Sequence, residues 1–437
     1  MKSHFAVPTL RTAVSNIKNR NRRRHYLANK PLNISTTSVT IVTNKNFSND
    51  LPFLSIIVPA RNEEKNIENC IKSLLAQNYP HFEVIAIDDN STDNTLNILM
   101  AIKEKISQPE PSSQQSLPSS ASLLTSSSTS STSNIRLQVI SLKDKPQDWK
   151  GKTWAMQQGY LQSKGDILLF TDADTTYISS DAVLLMSSYM KKERLDALTS
   201  IFFSDLKDFV SKTVMPLWDI FLILFGRDAS KMNDPNSKVA YLLGAFIMIK
   251  RKVLEDIGTF ESVRDAIQED KVLGEHLKHA GFKVKIIKAY DLISALWSRD
   301  AYTLWYGIER TLAPVIKDDA QKVLWNLLIL FFMALLPFLS LPYTVWLTNI
   351  SREQLILIGG KSLSYAFFLF YLNISVCAII VADIAAKDIA RYKVSPLYSA
   401  FAALSSFFLV IAYLNALLKF GLNHQKPIPW RGRKTQA

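Results

Sequence analysis

Three long apolar runs close the sequence, at residues 323–347, 363–382 and 396–420. A helix needs about 20 such residues to cross the hydrocarbon layer of a bilayer, and each run meets that length. In lipid a chain must satisfy its own backbone hydrogen bonds, so these runs are expected to fold as helices. The first contains Pro337 and Pro342, which leaves a kink or a re-entrant hairpin open there. A further apolar stretch, 214–225, is only about a dozen residues and reads as a buried or interfacial helix.

The charge balance fits a membrane. The chain has 437 residues, 48% of them apolar, and a net charge of +13. Such an excess can serve nucleic acid, an anionic substrate or an anionic membrane surface. No aromatic-plus-basic RNA motif or zinc-ligand spacing is present, so nucleic acid is not an expected partner. Residues 1–52 carry Arg20, Arg22, Arg23, Arg24 and Lys30 without an apolar core. They read as a disordered basic tail or as one drawn to lipid headgroups, not as a secretory signal. The two cysteines, Cys70 and Cys377, fall in unlike segments. No disulfide framework is expected, and the soluble part is expected to face a reducing cytosol.

From Phe53 the pattern is that of an α/β domain, expected to extend to 322. Residues 54–58 and 82–87 are short β-branched runs that read as buried strands. Between them Ile67, Cys70, Ile71, Leu74 and Leu75 recur at helical spacing. A second helix follows, which Ser91 or Thr92 can cap. This alternation predicts a parallel sheet with helices packed on it. Residues 108–133 are dominated by Ser, Thr, Gln and Pro and read as a disordered surface insertion. Strands resume at 135–140 and 166–171, with a helix over 153–161 between them.

Carboxylates recur where these strands end. Asp88 and Asp89 end the second, and Asp172 and Asp174 end a later one; Glu269 and Asp270 come further on. Ligands of open α/β sheets bind at the carboxyl ends of strands. Hard cations take carboxylate and phosphate oxygens together. The three acidic clusters therefore suit a divalent metal and a diphosphate.

In order, the landmarks are Val58-Pro-Ala-Arg-Asn-Glu-Glu64, Asp88-Asp-Asn-Ser-Thr-Asp93, Gly151-Lys152 with Trp154-Ala155, Gly165-Asp-Ile-Leu-Leu-Phe-Thr-Asp-Ala-Asp174 and Glu269-Asp270. Together they resemble the inverting family-2 glycosyltransferases with the GT-A fold. The resemblance implies a Rossmann-like nucleotide-sugar domain, here followed by a helical membrane domain over 323–421 and a basic tail over 422–437. It implies that Ala60, Arg61 and Glu63 line the nucleotide pocket, that Asp88 and Asp89 meet base and ribose, and that Lys152 lies near the diphosphate. It implies Asp174, helped by Asp172, as holder of Mg²⁺ or Mn²⁺, and Asp270 as the base. The donor it implies is a UDP-sugar, with a GDP-sugar as the alternative.

One landmark departs from the family. Polymer-building members often carry Gln-x-x-Arg-Trp after the base, whereas this chain reads Trp305-Tyr-Gly-Ile-Glu-Arg-Thr311. Arg310 can still meet the departing diphosphate. The tail Pro427-Ile-Pro-Trp-Arg-Gly-Arg433 resembles that of members acting on carotenoid-, hopanoid- and ceramide-type lipids. The expected activity is transfer of one sugar to a lipid or lipid-linked acceptor at the cell membrane, with no obligate protein partner. A processive polysaccharide synthase and a non-catalytic nucleotide-sugar-binding membrane protein are the alternatives. The catalytic domain is expected in the cytosol. Lys387, Arg391 and Lys393 and the basic tail favour the same side, which needs one run, the third, not to span.

Overall fold

The computed structural model describes residues 51–108, 136–224, 228–234, 236–296, 298–349, 363–421, 428–430 and 433–435. The Ser-rich insertion beyond residue 108, residues 1–50 and most of the 422–437 tail lie outside them. The sheet domain is built from β1 (Leu54–Ala60), α1 (Ile67–Leu75), β2 (Phe82–Asp89), α2 (Thr95–Ser107), β3 (Arg136–Leu142), α3 (Gly151–Gln162), β4 (Ile167–Phe170) and β5 (Thr175–Tyr177). It continues through α4 (Ala182–Glu193), β6 (Ala197–Ile201), β7 (Phe203–Ser204), α5 (Phe209–Leu224), α6 (Ala229–Met232), β8 (Ile247–Lys250), α7 (Arg251–Asp256), α8 (Glu269–His279), β9 (Val284–Lys288) and β10 (Ile293–Ala295).

The main sheet has seven strands in the order β3-β2-β1-β4-β8-β6-β9. β3, β2, β1 and β4 are parallel, as the strand-helix alternation predicts. β8 departs from that expectation, because it runs antiparallel to both β4 and β6. The sheet is therefore mixed, an α/β arrangement of GT-A type. Its strands are buried on both faces: Leu54, Ile56, Ile57 and Val58 of β1 are all fully covered. That double burial is why they read as continuous apolar runs rather than alternating ones.

The expected cap of α2 is not made by Ser91 or Thr92. Asn62 takes both instead: its N–H donates to Ser91 Oγ (3.1 Å), and its Oδ1 accepts from the Thr92 N–H (2.8 Å). Asp93 Oδ1 receives the Thr95 N–H at the start of α2 (3.0 Å). The loops after β1 and β2 are thus interlocked. Their tight turns put Asn62 and Asn90 at positive φ, 53° and 51°, a region that Asn tolerates better than most residues.

The helical region begins with α9 (Ala301–Ile329), passes through a π-turn (Leu330–Leu335) into α10 (Leu336–Asn349), and returns in α11 (Leu363–Lys387). A π-turn (Asp388–Tyr392) and a 3-10 turn (Pro396–Phe401) lead to α12 (Ala402–Ala416), which ends in a π-turn (Leu417–Gly421). Two strands, β11 (Ile428–Trp430) and β12 (Arg433–Thr435), pair as a short antiparallel ladder. Among the described residues, three stretches are long and apolar enough to cross a membrane: Ala301–Asn349, Phe367–Lys387 and Pro396–Gly421.

The first of these stretches has 49 residues, about 70 Å at 1.5 Å per residue, more than twice a bilayer core. It is broken at Asp319, whose backbone is non-helical (φ −156°, ψ 83°) and whose Oδ1 accepts the Lys322 N–H (3.0 Å). Asp319 thus acts as an internal N-cap and restarts the helix just ahead of the apolar run. α5 is buried, with Val214, Met215, Leu217, Trp218 and Phe221 packed in one core with α9 and α12.

Candidate active site

A cavity of about 650 Å³ opens at the carboxyl ends of β1 and β4. Its walls include Ala60 at the end of β1, Arg61 and Glu63 after it, Asp89 at the end of β2, Lys152 on α3, and Asp172 and Asp174 after β4. Asp270 at the start of α8 and Arg310 on α9 face it as well. Of the residues singled out in the sequence, Asp88 alone is not in the wall. It lies beneath, 1% exposed, where Oδ2 accepts the Ser91 N–H (3.3 Å) and Oδ1 has no hydrogen-bond partner among the described residues.

Sheet register brings these groups together. Ala60 of β1 is level with Asp88 of β2. Beyond β4 the Thr175 N–H donates to Asp172 O (3.1 Å), closing a turn that carries both carboxylates of the Asp-Ala-Asp sequence. Arg61 is buried and spans the two loops, its Nη1 donating to Asp89 O (2.5 Å) and Asn90 O (2.7 Å). Glu63, 3% exposed, accepts from Asn66 Nδ2 (2.7 Å) and from Arg299 Nη2 (2.9 Å). Arg61 thus holds the backbone at the end of β2, and Glu63 joins Asn66 to Arg299.

At the opposite wall the Lys152 ammonium is 2.8 Å from Asp172 Oδ1 and 2.8 Å from Glu269 Oε1. Burial alone would lower its pKa, but Asp172, Glu269 and Asp270 raise it well above the ordinary lysine range. Lys152 is therefore a fixed cation. Cys70, close behind, is no nucleophile. Burial, with the carboxylates of Asp174, Glu63 and Asp172, pushes its thiol far up, and the thiolate is the reactive form.

Asp270 occupies the first turn of α8, with Oδ1 accepting the Lys271 N–H (2.8 Å) and its carbonyl accepting the Leu242 N–H (3.1 Å). Arg310 is exposed on α9, near Gly307 and Thr311, at the rim. Tyr302 and Tyr306 from the same helix line this rim, their rings edge to face at 4.5 Å.

Among the described residues, no three His, Cys, Asp or Glu side chains converge as a metal cage. A Mg²⁺-type site needs less, since such ions bind through one or two carboxylates together with substrate phosphates and water. Asp172 and Asp174, both half-buried on the cavity wall, fit that donor set.

Sequence reasoning gave no role to Glu269, although it named the pair, and missed Arg299 and the two tyrosines. Glu63 and Arg299 are 236 positions apart, and no local pattern announces such a pair.

A model of Glycosyl transferase family 2 matches residues 55–111, and a model of Glycosyl transferase family 21 matches residues 136–437. The Probable glycosyltransferase YdaM of Bacillus subtilis (strain 168) is 22% identical over 350 residues, 75% of this chain and 74% of its own. The 4,4'-diaponeurosporenoate glycosyltransferase of Staphylococcus aureus (strain N315) is 20% identical over 352 residues, 80% of each chain. Among solved structures, the mannosyltransferase PcManGT from Pyrobaculum calidifontis, in complex with GDP-Man and Mn²⁺, superposes with a TM-score of 0.43 at 16% identity, covering 84% of this chain and 87% of that one. Because the second family model takes in well over half of its residues, the chain belongs to glycosyl transferase family 21 and is a glycosyltransferase.

Proposed function

We propose that this glycosyltransferase moves one sugar, with inversion, from a nucleotide-sugar donor to a lipid acceptor presented at the membrane. One observation carries the reading. A cavity walled by Asp89, Asp172, Asp174 and Asp270 is closed on one side by α9, the helix that runs on into the first bilayer-length stretch. An acceptor anchored in lipid can then reach the base along the helix that leads from the membrane. A relative named for 4,4'-diaponeurosporenoate, a carotenoid acid, supports an apolar acceptor.

The nucleotide lies toward Ala60, Arg61 and Glu63, with Asp89 meeting base and ribose and Asp88 bracing that end from beneath. The donor is a UDP-sugar or, failing that, a GDP-sugar. Mg²⁺ or Mn²⁺ held by Asp174 and Asp172 would neutralise charge on the leaving diphosphate. Lys152 and Arg310 add fixed positive charge at the same end. Asp270 takes the proton of the acceptor hydroxyl. As that oxygen bonds to the anomeric carbon, the bond from this carbon to the diphosphate oxygen breaks, and the nucleoside diphosphate leaves with the electron pair.

The sheet domain faces the cytosol in this reading, and the chain divides near 322, just past the Asp319 cap. Asp174→Ala tests the metal assignment. Purified variant should lose transfer and the Mn²⁺ requirement of donor binding. Full wild-type activity in excess chelator would contradict it.

A further inference from the structure

Glu269 precedes the base and lies beside it in the cavity wall. Its carboxylate is 11% exposed and is directed to Lys152. Three elements meet at that ammonium: α3 supplies Lys152, the turn after β4 supplies Asp172, and the first turn of α8 supplies Glu269. A β-carbon built on Gly244 would lie 2.7 Å from Lys152 Nζ and 3.0 Å from Asp172 Oδ2. The backbone thus closes in on the ion pair, and a larger residue there would push Lys152 or Asp172 aside.

The two anchors of Lys152 have different prospects once a donor is bound. Asp172 is a proposed partner of the divalent cation, and a carboxylate drawn to that cation gives up part of its hold on the ammonium. Glu269 is not one of the two carboxylates proposed for the cation and is only 11% exposed, so it can keep its hold. We propose that Glu269 is a positioning residue for sugar transfer. It retains the Lys152 ammonium beside the diphosphate when Asp172 turns to the metal, a role that rests on reading the cavity as the donor site. Glu269 and Asp270, adjacent in sequence, then do separate work: one orders the donor's leaving group, the other receives the acceptor's proton.

The test uses the purified full-length chain, with Mn²⁺ and either UDP or GDP as probes in calorimetry, and steady-state transfer beside it. Glu269→Gln should weaken Mn²⁺-dependent binding of the nucleoside diphosphate, and raise the donor KM, by roughly tenfold to a hundredfold, as for a lost charged hydrogen bond. Acceptor KM should stay put. Glu269→Asp should recover part of the loss. In a Lys152→Met background Glu269→Gln should cost little more, because the two residues act as one unit. Thermal melting checks that each variant folds. Wild-type nucleotide binding with turnover alone reduced would make Glu269 the base and overturn the proposal. Independent, additive losses would overturn it too, by showing that Glu269 does not act through Lys152. If the wild-type chain binds neither nucleotide, the donor-site reading itself falls, and the Glu269 role with it.

Discussion

Asp270 can be separated from its neighbours by a substitution that keeps its shape. Asp270→Asn removes the proposed proton acceptor and leaves the surface of α8 intact. Calorimetry should find nucleotide binding unchanged, while turnover falls by roughly a hundredfold or more. Undiminished turnover would place the base elsewhere. One turn along α8, a β-carbon on Gly274 would lie 2.8 Å from the backbone of Tyr241, which cannot swing away. Gly274→Ala should lift the helix, cost on the order of 1–3 kcal/mol of stability and reduce transfer by displacing Asp270. A melting temperature and rate equal to wild type would contradict that. Asp88, Asp89, Asp172 and Asp174 were legible in the sequence because they follow continuous apolar runs, where a chain leaving a buried strand must meet water or ligand; Asp270 opens a helix instead and was reached through the family resemblance. Arg299 was not, because its partner Glu63 is reached only through the tertiary fold.

Helices differ in how openly they announce their surroundings. α5 is too short to span, and its length alone said so; what it packs against was not readable. Asp219, buried in this apolar helix, accepts from Arg391 and Tyr392 of the turn after α11. Asp219→Ala would leave the Arg391 charge without its carboxylate. With Arg391 still partly exposed, a loss on the order of 2–3 kcal/mol is expected, read as a lower melting temperature in detergent. Four residues before Tyr392, the π-turn opens with Asp388, fully buried, neither of its carboxylate oxygens having a partner among the described residues. Burial pushes its pKa up from 3.8 to about 7. Between those values the unfolded chain gives up a proton that the folded chain keeps, so stability falls as pH rises, and above about 7 the penalty is constant. Asp388→Asn should therefore raise the melting temperature at pH 8 and change it little near pH 4. An equal shift at both would show that ionisation is not the cause. No periodicity marks either acid, since each lies within or beside a helix that the apolar pattern alone defines.

At the scale of the whole chain, the open question is which stretches cross the membrane. The turn between α11 and α12 is tied to the sheet domain, with Lys393 Nζ 3.2 Å from Asp291 Oδ1, so turn and domain share a side. Both ends of α12 also reach that neighbourhood. Ser405 Oγ donates to Thr213 O of α5 (2.7 Å), and beyond the helix Lys419 Nζ donates to Glu309 Oε2 of α9 (2.6 Å). These contacts support the proposal that the third apolar stretch lies against the catalytic domain and that the basic tail stays on the cytosolic side. A cysteine at Thr435 in intact cells should then resist an impermeant thiol reagent; ready labelling would put the tail outside. Hydropathy showed that three runs are long enough to span, but length is a capacity, and whether it is used depends on partners such as Glu309 and Thr213 that only the fold assembles. The central claim, transfer of one sugar to a lipid, is tested most directly by incubating the purified protein with Mn²⁺, a radiolabelled nucleotide-sugar and a membrane lipid extract, and then extracting with organic solvent. A UDP-sugar and a GDP-sugar are tried in parallel. Label should enter the organic phase as a singly glycosylated lipid with wild-type protein and not with Asp270→Asn. Label confined to a long polymer, or none in lipid with either donor, would contradict the account.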